Sequence, residues 1–273
     1  MIRICSWNMA HRTDAWHHLV QAQYDVALLQ EATEPPEDLA PRLRHSGREW
    51  KIPGEYHGRR WRSAIVALSP DVAIEWYPTA AYADAKAGDV PVSRVGAIEF
   101  ASVTRGDHEP VVLASLYGIW EKPCPPSSWI FADSSVHRLV SDLCYFIGSE
   151  GRHRIIAAGD LNILHGYGEY GNRYWSSRYS TVFDRMAAIG LPFIGPQQPH
   201  GEPPNPWPDE LPLESGDVPT FRTTRADPAS ASRQLDFVFA STQIRRLVTV
   251  TAKNGADDWG PSDHCIIEIN LDL

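Results

Sequence analysis

The sequence predicts a mixed α+β fold in which layered β-sheets carry helices on their outer faces. Apolar runs of strand length recur with turn signals between them, among them IRIC, DVALL, SAIVAL, VVLASL, RIIAA and CIIEINL. Segments with helical spacing lie between these runs. Strands and helices mixed in this way are typical of sheets that are covered by helices.

The strand runs differ in whether one face or both faces of the strand are predicted to be buried. The last run, CIIEINL, places the apolar residues at its odd-numbered positions, 265 to 271, on one face, which predicts a strand with that face in the core. By contrast, RIIAA and DVALL are continuously apolar. Continuous runs of this kind are typical of strands that are covered on both faces.

Three helices are expected between the strands. In residues 134–151 the apolar positions follow the i, i+3, i+4, i+7 spacing, and serines near the start offer an N-cap. Two further helices are expected at residues 15–22 and 181–189. Residues 195–220 are rich in proline and lack a periodic apolar pattern, so we expect a long loop there.

Composition favours one large core rather than two. The chain has 273 residues, of which 43% are hydrophobic, and no linker or repeat divides it, so we expect a single domain over residues 1–273. The N-terminus does not resemble a secretory signal, and no apolar run approaches the ~18 residues of a membrane span. We therefore expect a cytoplasmic protein that needs neither a membrane nor an obligate protein partner. The four cysteines lack CxxC spacing and are expected to be buried free thiols.

The formal net charge of −9 has the wrong sign for a protein that holds duplex nucleic acid with its whole surface. A phosphate substrate is still compatible with this charge. A site that collects carboxylates to bind a divalent cation is acidic until the cation arrives, and the cation then supplies the positive charge.

Polar side chains follow four of the apolar runs. Asn8 follows IRICSW, Glu31 follows VALLQ, Tyr117 follows VVLASL, and Asp160 and Asn162 follow RIIAAG. Each of these residues can bind a metal ion or a phosphate oxygen. If the strands lie side by side, their polar ends converge on one cleft.

Two further candidates occur late in the chain. Asp236 lies inside the apolar strand LDFVFA, and the dipeptide Asp263-His264 precedes the last strand. A buried acid needs a partner, and His264 is the candidate. A carboxylate that fixes the tautomer of an imidazole is a recurrent arrangement in acid–base chemistry.

The ordered motifs SWN, LLQEA, SLYG, GDLN, LDFVFAS and SDH resemble those of the endonuclease/exonuclease/phosphatase superfamily, whose members are related to exonuclease III and deoxyribonuclease I. The motifs run from Ser6 to His264. The resemblance implies a four-layer α/β/β/α sandwich, in which two packed β-sheets are flanked by helices. It also implies hydrolysis of phosphodiester bonds with the help of Mg²⁺ or Mn²⁺.

The resemblance also assigns roles to residues. Asn8, Glu31 and Asp263 match positions on the metal side of the site, and Glu31 matches the firmest ligand. Asp160 matches the residue that orients or deprotonates the attacking water, although His264 could also take this proton. The remaining matches are Asn162 with a phosphate-binding amide, Tyr117 with a phosphate-binding phenol, and Asp236 with the acid that pairs with His264.

Two departures from the family pattern argue against an abasic-site endonuclease. Members of that group tend to carry an acid two residues after the first Asn, where this chain has Ala10, and a Pro-Asn pair after the Tyr, where it has YGIWEKP. These differences leave the core reaction unchanged.

The segment after GDLN suggests the substrate. Its tyrosines, Trp175 and arginines could stack a base and contact phosphates, so we expect Arg173, Tyr174 and Trp175 to bind a nucleotide or single-stranded nucleic acid. A loop packed by its own aromatic side chains fits the pattern equally well.

Two other functions stay open at this point. One keeps the chemistry but acts on inositol phosphates or other small phosphate esters. The other is a binding module without turnover, which the full set of acidic residues and His264 argues against.

Overall fold

Two six-stranded β-sheets form the centre of the computed structural model, which describes residues 1–46, 49–52, 59–121, 131–148 and 152–273. The helices in these ranges are α1 (Asp14–Gln21), α2 (Asp133–Leu143) and α3 (Arg173–Ala188). The strands are β1 (Ile2–Asn8), β2 (Val26–Ala32), β3 (Arg44–His45), β4 (Arg62–Ala67), β5 (Ala73–Tyr77), β6 (Thr79–Ala81), β7 (Val90–Val92), β8 (Ile98–Thr104), β9 (Val111–Tyr117), β10 (Ile155–Asp160), β11 (Phe193–Gly195), β12 (Asp236–Ala240), β13 (Val248–Lys253) and β14 (Ile266–Leu271).

Both sheets mix parallel and antiparallel pairs. The order of the first sheet is β13-β14-β1-β2-β4-β3, and that of the second is β11-β12-β10-β9-β8-β5. The central pair of each sheet, β1/β2 in the first and β9/β10 in the second, is parallel. The polar carboxyl ends of each pair therefore lie at the same edge of their sheet. Strands β6 and β7 form a small separate sheet.

Three apolar layers hold the architecture together. Between the sheets, Ile4 and Leu28 of the first sheet pack in one cluster with Leu113 and other residues of the second. Helix α1 covers the outer face of the first sheet through Trp16. Helices α2 and α3 cover the outer face of the second sheet, with Leu139 and other apolar residues. The predicted α/β/β/α sandwich is therefore confirmed.

The helices begin and end at different residues from those expected. Helix α1 agrees with the prediction to within one residue, whereas α2 is shorter and gives way to a 3-10 turn at Cys144–Phe146. Helix α3 begins at Arg173, because Asn172 caps it by accepting a hydrogen bond from the backbone N–H of Tyr174. The aromatic segment after GDLN is thus helical from Arg173 onward, while residues 196–220 are irregular, as predicted.

Two of the cysteines agree with expectation and one differs. Cys5 and Cys265 are buried free thiols, but Cys144 is exposed, and Cys124 lies outside the described residues. Among the helices of the described ranges, none combines the length and the apolar character that crossing a bilayer requires.

Candidate active site

A cleft of about 410 Å³ opens at the edge where the strands of both sheets end in polar residues. The carboxyl ends of β1, β2, β9 and β10 and the loops after β1, β9 and β10 meet there with the segment before β14. The predicted site residues that line the cleft are Asn8, Glu31, Tyr117, Asp160, Asn162, Asp263 and His264.

Strand register brings three of the predicted groups into one row. In the second sheet, Asp160 on β10 lies opposite Tyr117 on β9 and opposite Asp236 on β12. Gly159 makes this close approach possible. Its φ is +155°, and a Cβ at this position would lie 1.9 Å from the carbonyl oxygen of Leu116. No side chain fits there, which explains the glycine of the GDLN motif.

The carboxylate of Asp160 is buried and held by several N–H donors. Its Oδ1 accepts the backbone N–H of Asn162 at 2.9 Å. Its Oδ2 accepts the side-chain amides of Asn8 at 2.9 Å and of Asn162 at 3.1 Å. A carboxylate fixed by several donors has a defined orientation toward the cleft, as a group that positions a water requires.

His264 lies beside this carboxylate and pairs with Asp236. Its Nδ1 donates to Asp236 Oδ2 at 2.8 Å, and its Nε2 lies 3.8 Å from Asp160 Oδ2. Both acids and the imidazole are buried. Because Asp236 occupies Nδ1, the nitrogen that faces the cleft is Nε2.

The charges of these groups shift their pKa values. Burial by itself lowers the pKa of His264, but the carboxylates of Asp236 and Asp160 outweigh it and raise this pKa to about 10. Burial raises the pKa of Asp160 to about 7, and the attraction of His264 offsets only part of the increase. The imidazole is therefore held as a cation at neutral pH.

Glu31 is the second carboxylate in the cleft. Its Oε1 accepts the phenol of Tyr117 at 2.6 Å, and its Oε2 lies 2.9 Å from His11 Nε2. Burial raises the pKa of Glu31, but the hydrogen bonds from His11 and Tyr117 outweigh it and lower this pKa below its ordinary value. Glu31 is thus ionised at neutral pH.

Backbone strain is concentrated around the cleft. Glu31 and Asn162 have φ values of +47° and +52°. In the loop after β1, the consecutive residues Ala10 and His11 have values of +48° and +59°. The pairing of β2 with β4 is irregular between Leu29 and Ala32, around Glu31. L-residues at positive φ cost of order 1 kcal/mol each, and such residues and bulges are often found at functional sites.

The donor set fits a hard divalent cation that keeps most of its waters. Within the described ranges, no group of three or more His, Cys, Asp and Glu side chains is arranged to hold a metal ion. Mg²⁺ is usually bound by one or two carboxylates together with water and phosphate oxygens. The ionised Glu31 supplies such a carboxylate, and Asn8 and Asp263 line the same cleft.

Sequence comparison identifies the family of the chain. The sequence profile of the endonuclease/exonuclease/phosphatase family matches residues 5–264. The chain belongs to this family. Its members are hydrolases of the phosphoesterase and nuclease type. A search of curated protein sequences found no match.

Several solved structures share the fold of this chain. The AP endonuclease LMAP from Leishmania major is 14% identical and superposes with a TM-score of 0.64, covering 100% of this chain and 88% of that chain. The endonuclease domain of the telomere-specific non-LTR retrotransposon TRAS1 is 18% identical, with a TM-score of 0.62 and coverage of 100% and 99%. The 3′ phosphatase NExo from Neisseria, solved with product DNA hairpin, is 16% identical, with a TM-score of 0.59 and coverage of 100% of both chains.

Three residues predicted to bind substrate do not line the cleft of this family member. Arg173 and Tyr174 are exposed on the first turn of α3. Trp175 is only 8% exposed and packs against Phe131 and Tyr179. Substrate binding by these residues stays a prediction.

The cleft also contains residues that sequence reasoning missed. His11, Trp120, Phe221 and Thr224 line it, and Thr224 donates to Asp263 at 2.9 Å. The ring of Phe221 packs on His264 at 5.0 Å. His11 follows the SWN motif by three residues, and this proximity was the available signal. The contacts of the others depend on long-range folding.

Proposed function

We propose that the protein is a divalent-metal-dependent nuclease that hydrolyses phosphodiester bonds of nucleic acid. One observation carries this proposal. An oriented carboxylate, a histidine paired with a second acid, and an ionised glutamate converge in one cleft. In-line attack of water on a phosphorus ester needs a proton acceptor, a fixed positive charge and a ligand for a metal ion, and these groups can supply all three.

In the proposed reaction, Asp160 orients the attacking water and takes its proton. The amides of Asn8 and Asn162 hold the carboxylate still, so that reorientation does not precede proton transfer. Through Nε2–H, His264 binds a phosphoryl oxygen and stabilises the charge that develops there. Asp236 is a positioning residue, because it acts through His264.

Glu31, Asn8 and Asp263 would hold the divalent cation, either Mg²⁺ or Mn²⁺. When bound, the cation supplies positive charge to the phosphoryl oxygens and to the departing oxygen. Tyr117 stays a neutral phenol, because burial, followed by the nearby charge of Glu31, raises its pKa well above the ordinary value. It therefore fixes Glu31 by donating a hydrogen bond.

Nucleic acid is the proposed substrate class for two reasons. The similar structures are described as AP endonucleases, a retrotransposon endonuclease and a DNA 3′ phosphatase. The rings of Trp120 and Phe221 also line the cleft, with Trp120 43% exposed, and such rings offer surfaces on which a base or sugar can pack.

A substrate panel tests this proposal. Fluorescent single-stranded DNA, single-stranded RNA, duplex DNA and a set of inositol phosphates are incubated with Mg²⁺, with Mn²⁺ and with EDTA. We expect cleavage of an oligonucleotide that EDTA abolishes and that Glu31→Gln lowers by at least about tenfold at subsaturating metal. Glu37→Gln, on the exposed surface, is the matched control.

Two results would contradict the proposal. Release of phosphate from the inositol phosphates, with no cleavage of any oligonucleotide, would assign the cleft to small phosphate esters. Absence of hydrolysis of every ester would favour a binding module without turnover.

A further inference from the structure

His11 makes a contact that the proposed reaction does not use. Its Nε2 lies 2.9 Å from Oε2 of Glu31, and its backbone N–H donates to the carbonyl oxygen of Glu31 at 3.2 Å. The imidazole lines the cleft, and its side chain is 47% exposed. The histidine therefore contacts Glu31, which the proposed function assigns as the main metal ligand.

The loop that carries His11 is built to aim it at this carboxylate. Ala10 and His11 are consecutive residues at positive φ, a conformation that single L-residues rarely adopt. Hydrogen bonds to the ends of β1 and β2 hold the loop in place. The N–H of Met9 donates to the carbonyl of Gln30 on β2, and the backbone N–H of Ala10 donates to Asn8 Oδ1 on β1. Strain that the surrounding contacts hold in place is a recurrent property of ligand sites.

Aromatic packing fixes the plane of the imidazole. The ring of Trp61 stacks on His11 with centroids 5.0 Å apart and an interplanar angle of 26°. Trp61 in turn meets Tyr117 edge-on at 5.1 Å, and the guanidinium of Arg59 lies 4.5 Å above the indole. The rotation of the imidazole that would remove Nε2 from Glu31 is thus opposed by packing.

We propose that His11 is a ligand of the divalent cation in this cleft, through Nε2, and that the site therefore prefers Mn²⁺ to Mg²⁺. The inference rests on the proposed function, because it needs a cation at Glu31. Imidazole nitrogen suits transition metals, whereas Mg²⁺ takes oxygen donors almost exclusively. One nitrogen ligand in an otherwise oxygen site therefore discriminates between the two ions.

The donor spacing is compatible with a shared ion. Two neighbouring ligands of an octahedral ion with bonds of about 2.1 Å lie roughly 3.0 Å apart. The 2.9 Å separation of Nε2 and Oε2, which is a hydrogen bond between the two side chains in this structure, is also close to this spacing. The exposure of the His11 side chain leaves a path for the ion to enter.

The test uses Mn²⁺ alone as the probe of the purified full chain. Pulsed EPR of the Mn²⁺-loaded protein detects modulation from a directly bound ¹⁴N, and calorimetry gives the Kd of Mn²⁺ and of Mg²⁺. His11→Asn removes the imidazole while keeping a residue type that tolerates positive φ. His11→Ala is the second variant, His108→Gln in the exposed β8–β9 turn is the matched control, and His264→Gln separates the two histidines of the cleft.

We expect ¹⁴N modulation in the wild type that both His11 variants lose and that His264→Gln and His108→Gln retain. The Kd of Mn²⁺ should rise about tenfold or more in the His11 variants, while that of Mg²⁺ changes by less than about threefold. Circular dichroism of each variant establishes that it is folded.

The failures of the two proposals are distinguishable. If Mn²⁺ binding is unchanged in Glu31→Gln, the cation does not lie at this carboxylate and the proposed metal site is wrong, together with the role of His11. If binding requires Glu31 but both His11 variants keep the ¹⁴N signal and the Mn²⁺ affinity, only the inference about His11 is wrong, and the contact is a simple ion pair.

Discussion

At the scale of single residues, the orientation of His264 depends on one buried hydrogen bond. Asp236 accepts from Nδ1 at 2.8 Å, and the other oxygen of this carboxylate, Oδ1, has no hydrogen-bond partner among the described residues. The acid therefore has one main contact, which fixes the ring plane of the histidine. Its contribution to the reaction should appear in the chemical step rather than in substrate binding.

Asp236→Asn tests this positioning role. The amide keeps the size of the side chain but removes the charge that holds the imidazole as a cation. We expect kcat for oligonucleotide cleavage to fall at least about tenfold, with KM changed by less than about threefold. Steady-state kinetics separates the two constants. A variant that raises KM alone, at unchanged kcat, would contradict the positioning role.

Half of the residues that line the cleft could be predicted from the sequence. Asp160, Asn162 and His264 occur in motifs next to strand runs, so the register of neighbouring strands brings them together. His11 could not be predicted to contact Glu31, because this contact depends on two consecutive residues at positive φ. Neither position carries a glycine, the residue that would indicate positive φ in the sequence.

At the scale of elements, a buried ion pair connects the two sheets. Arg62 on β4 donates to Glu99 on β8, and both side chains are almost fully buried. Burial raises the pKa of Glu99 above its ordinary value, and the attraction of Arg62 offsets this only in part. The free energy of unfolding therefore depends on pH, and the raised pKa of Glu99 decides whether it rises or falls.

Glu99→Gln isolates this dependence. Because the folded protein binds the proton of Glu99 more tightly than the unfolded chain does, the wild type loses stability as pH rises above the unfolded carboxyl value of about 4.3. The free energy of unfolding of the wild type minus that of Glu99→Gln should therefore fall with rising pH and then level off. Urea unfolding at several pH values measures it, with Glu37→Gln as control. A difference that rises with pH would contradict the assignment.

The first half of α3 was not predicted, although its second half falls in the helix expected at residues 181–189. Trp175, Tyr179, Val182 and Met186 are buried at spacings of four, three and four residues, which is a helical pattern. The many aromatic and polar residues and the preceding glycines favoured a loop, and composition masked the periodicity. The buried ring of Trp175 belongs to the core of the second sheet.

The segment before and within α3 gives a separate prediction about substrate. Tyr174 is 56% exposed, whereas Trp175 is buried. If the first turn of α3 stacks a base, Tyr174→Ala should raise KM for an oligonucleotide several-fold without changing the melting temperature. Trp175→Ala should instead destabilise the fold by about 3 kcal/mol. Unchanged KM in Tyr174→Ala would remove this turn from the binding site.

At the scale of the whole molecule, the sandwich explains why the cleft lies where it does. Both sheets contribute their central parallel strands to one edge, β1/β2 from the first and β9/β10 from the second. The apolar cluster between the sheets supports these strands from behind. The layered class could be predicted from strand and helix counts, but the strand order could not, since it depends on pairings distant in sequence such as β1 with β14.

We also propose that residues 1–273 form one domain. The cluster between the sheets contains residues from Ile2 to Leu271, so the two ends of the chain share one core. Thermal unfolding should then show a single cooperative transition, with equal calorimetric and van't Hoff enthalpies. Two resolved transitions would contradict this proposal.

In the proposed function, this cleft hydrolyses phosphodiester bonds with Asp160 as the proton acceptor. The most direct measurement is the single-turnover rate of oligonucleotide cleavage in wild type and Asp160→Asn, with saturating Mn²⁺ and with His108→Gln as the control. The amide keeps the shape of the side chain but cannot take a proton, so we predict a fall of at least about a hundredfold. Cleavage by Asp160→Asn at the wild-type rate would show that Asp160 is not the proton acceptor.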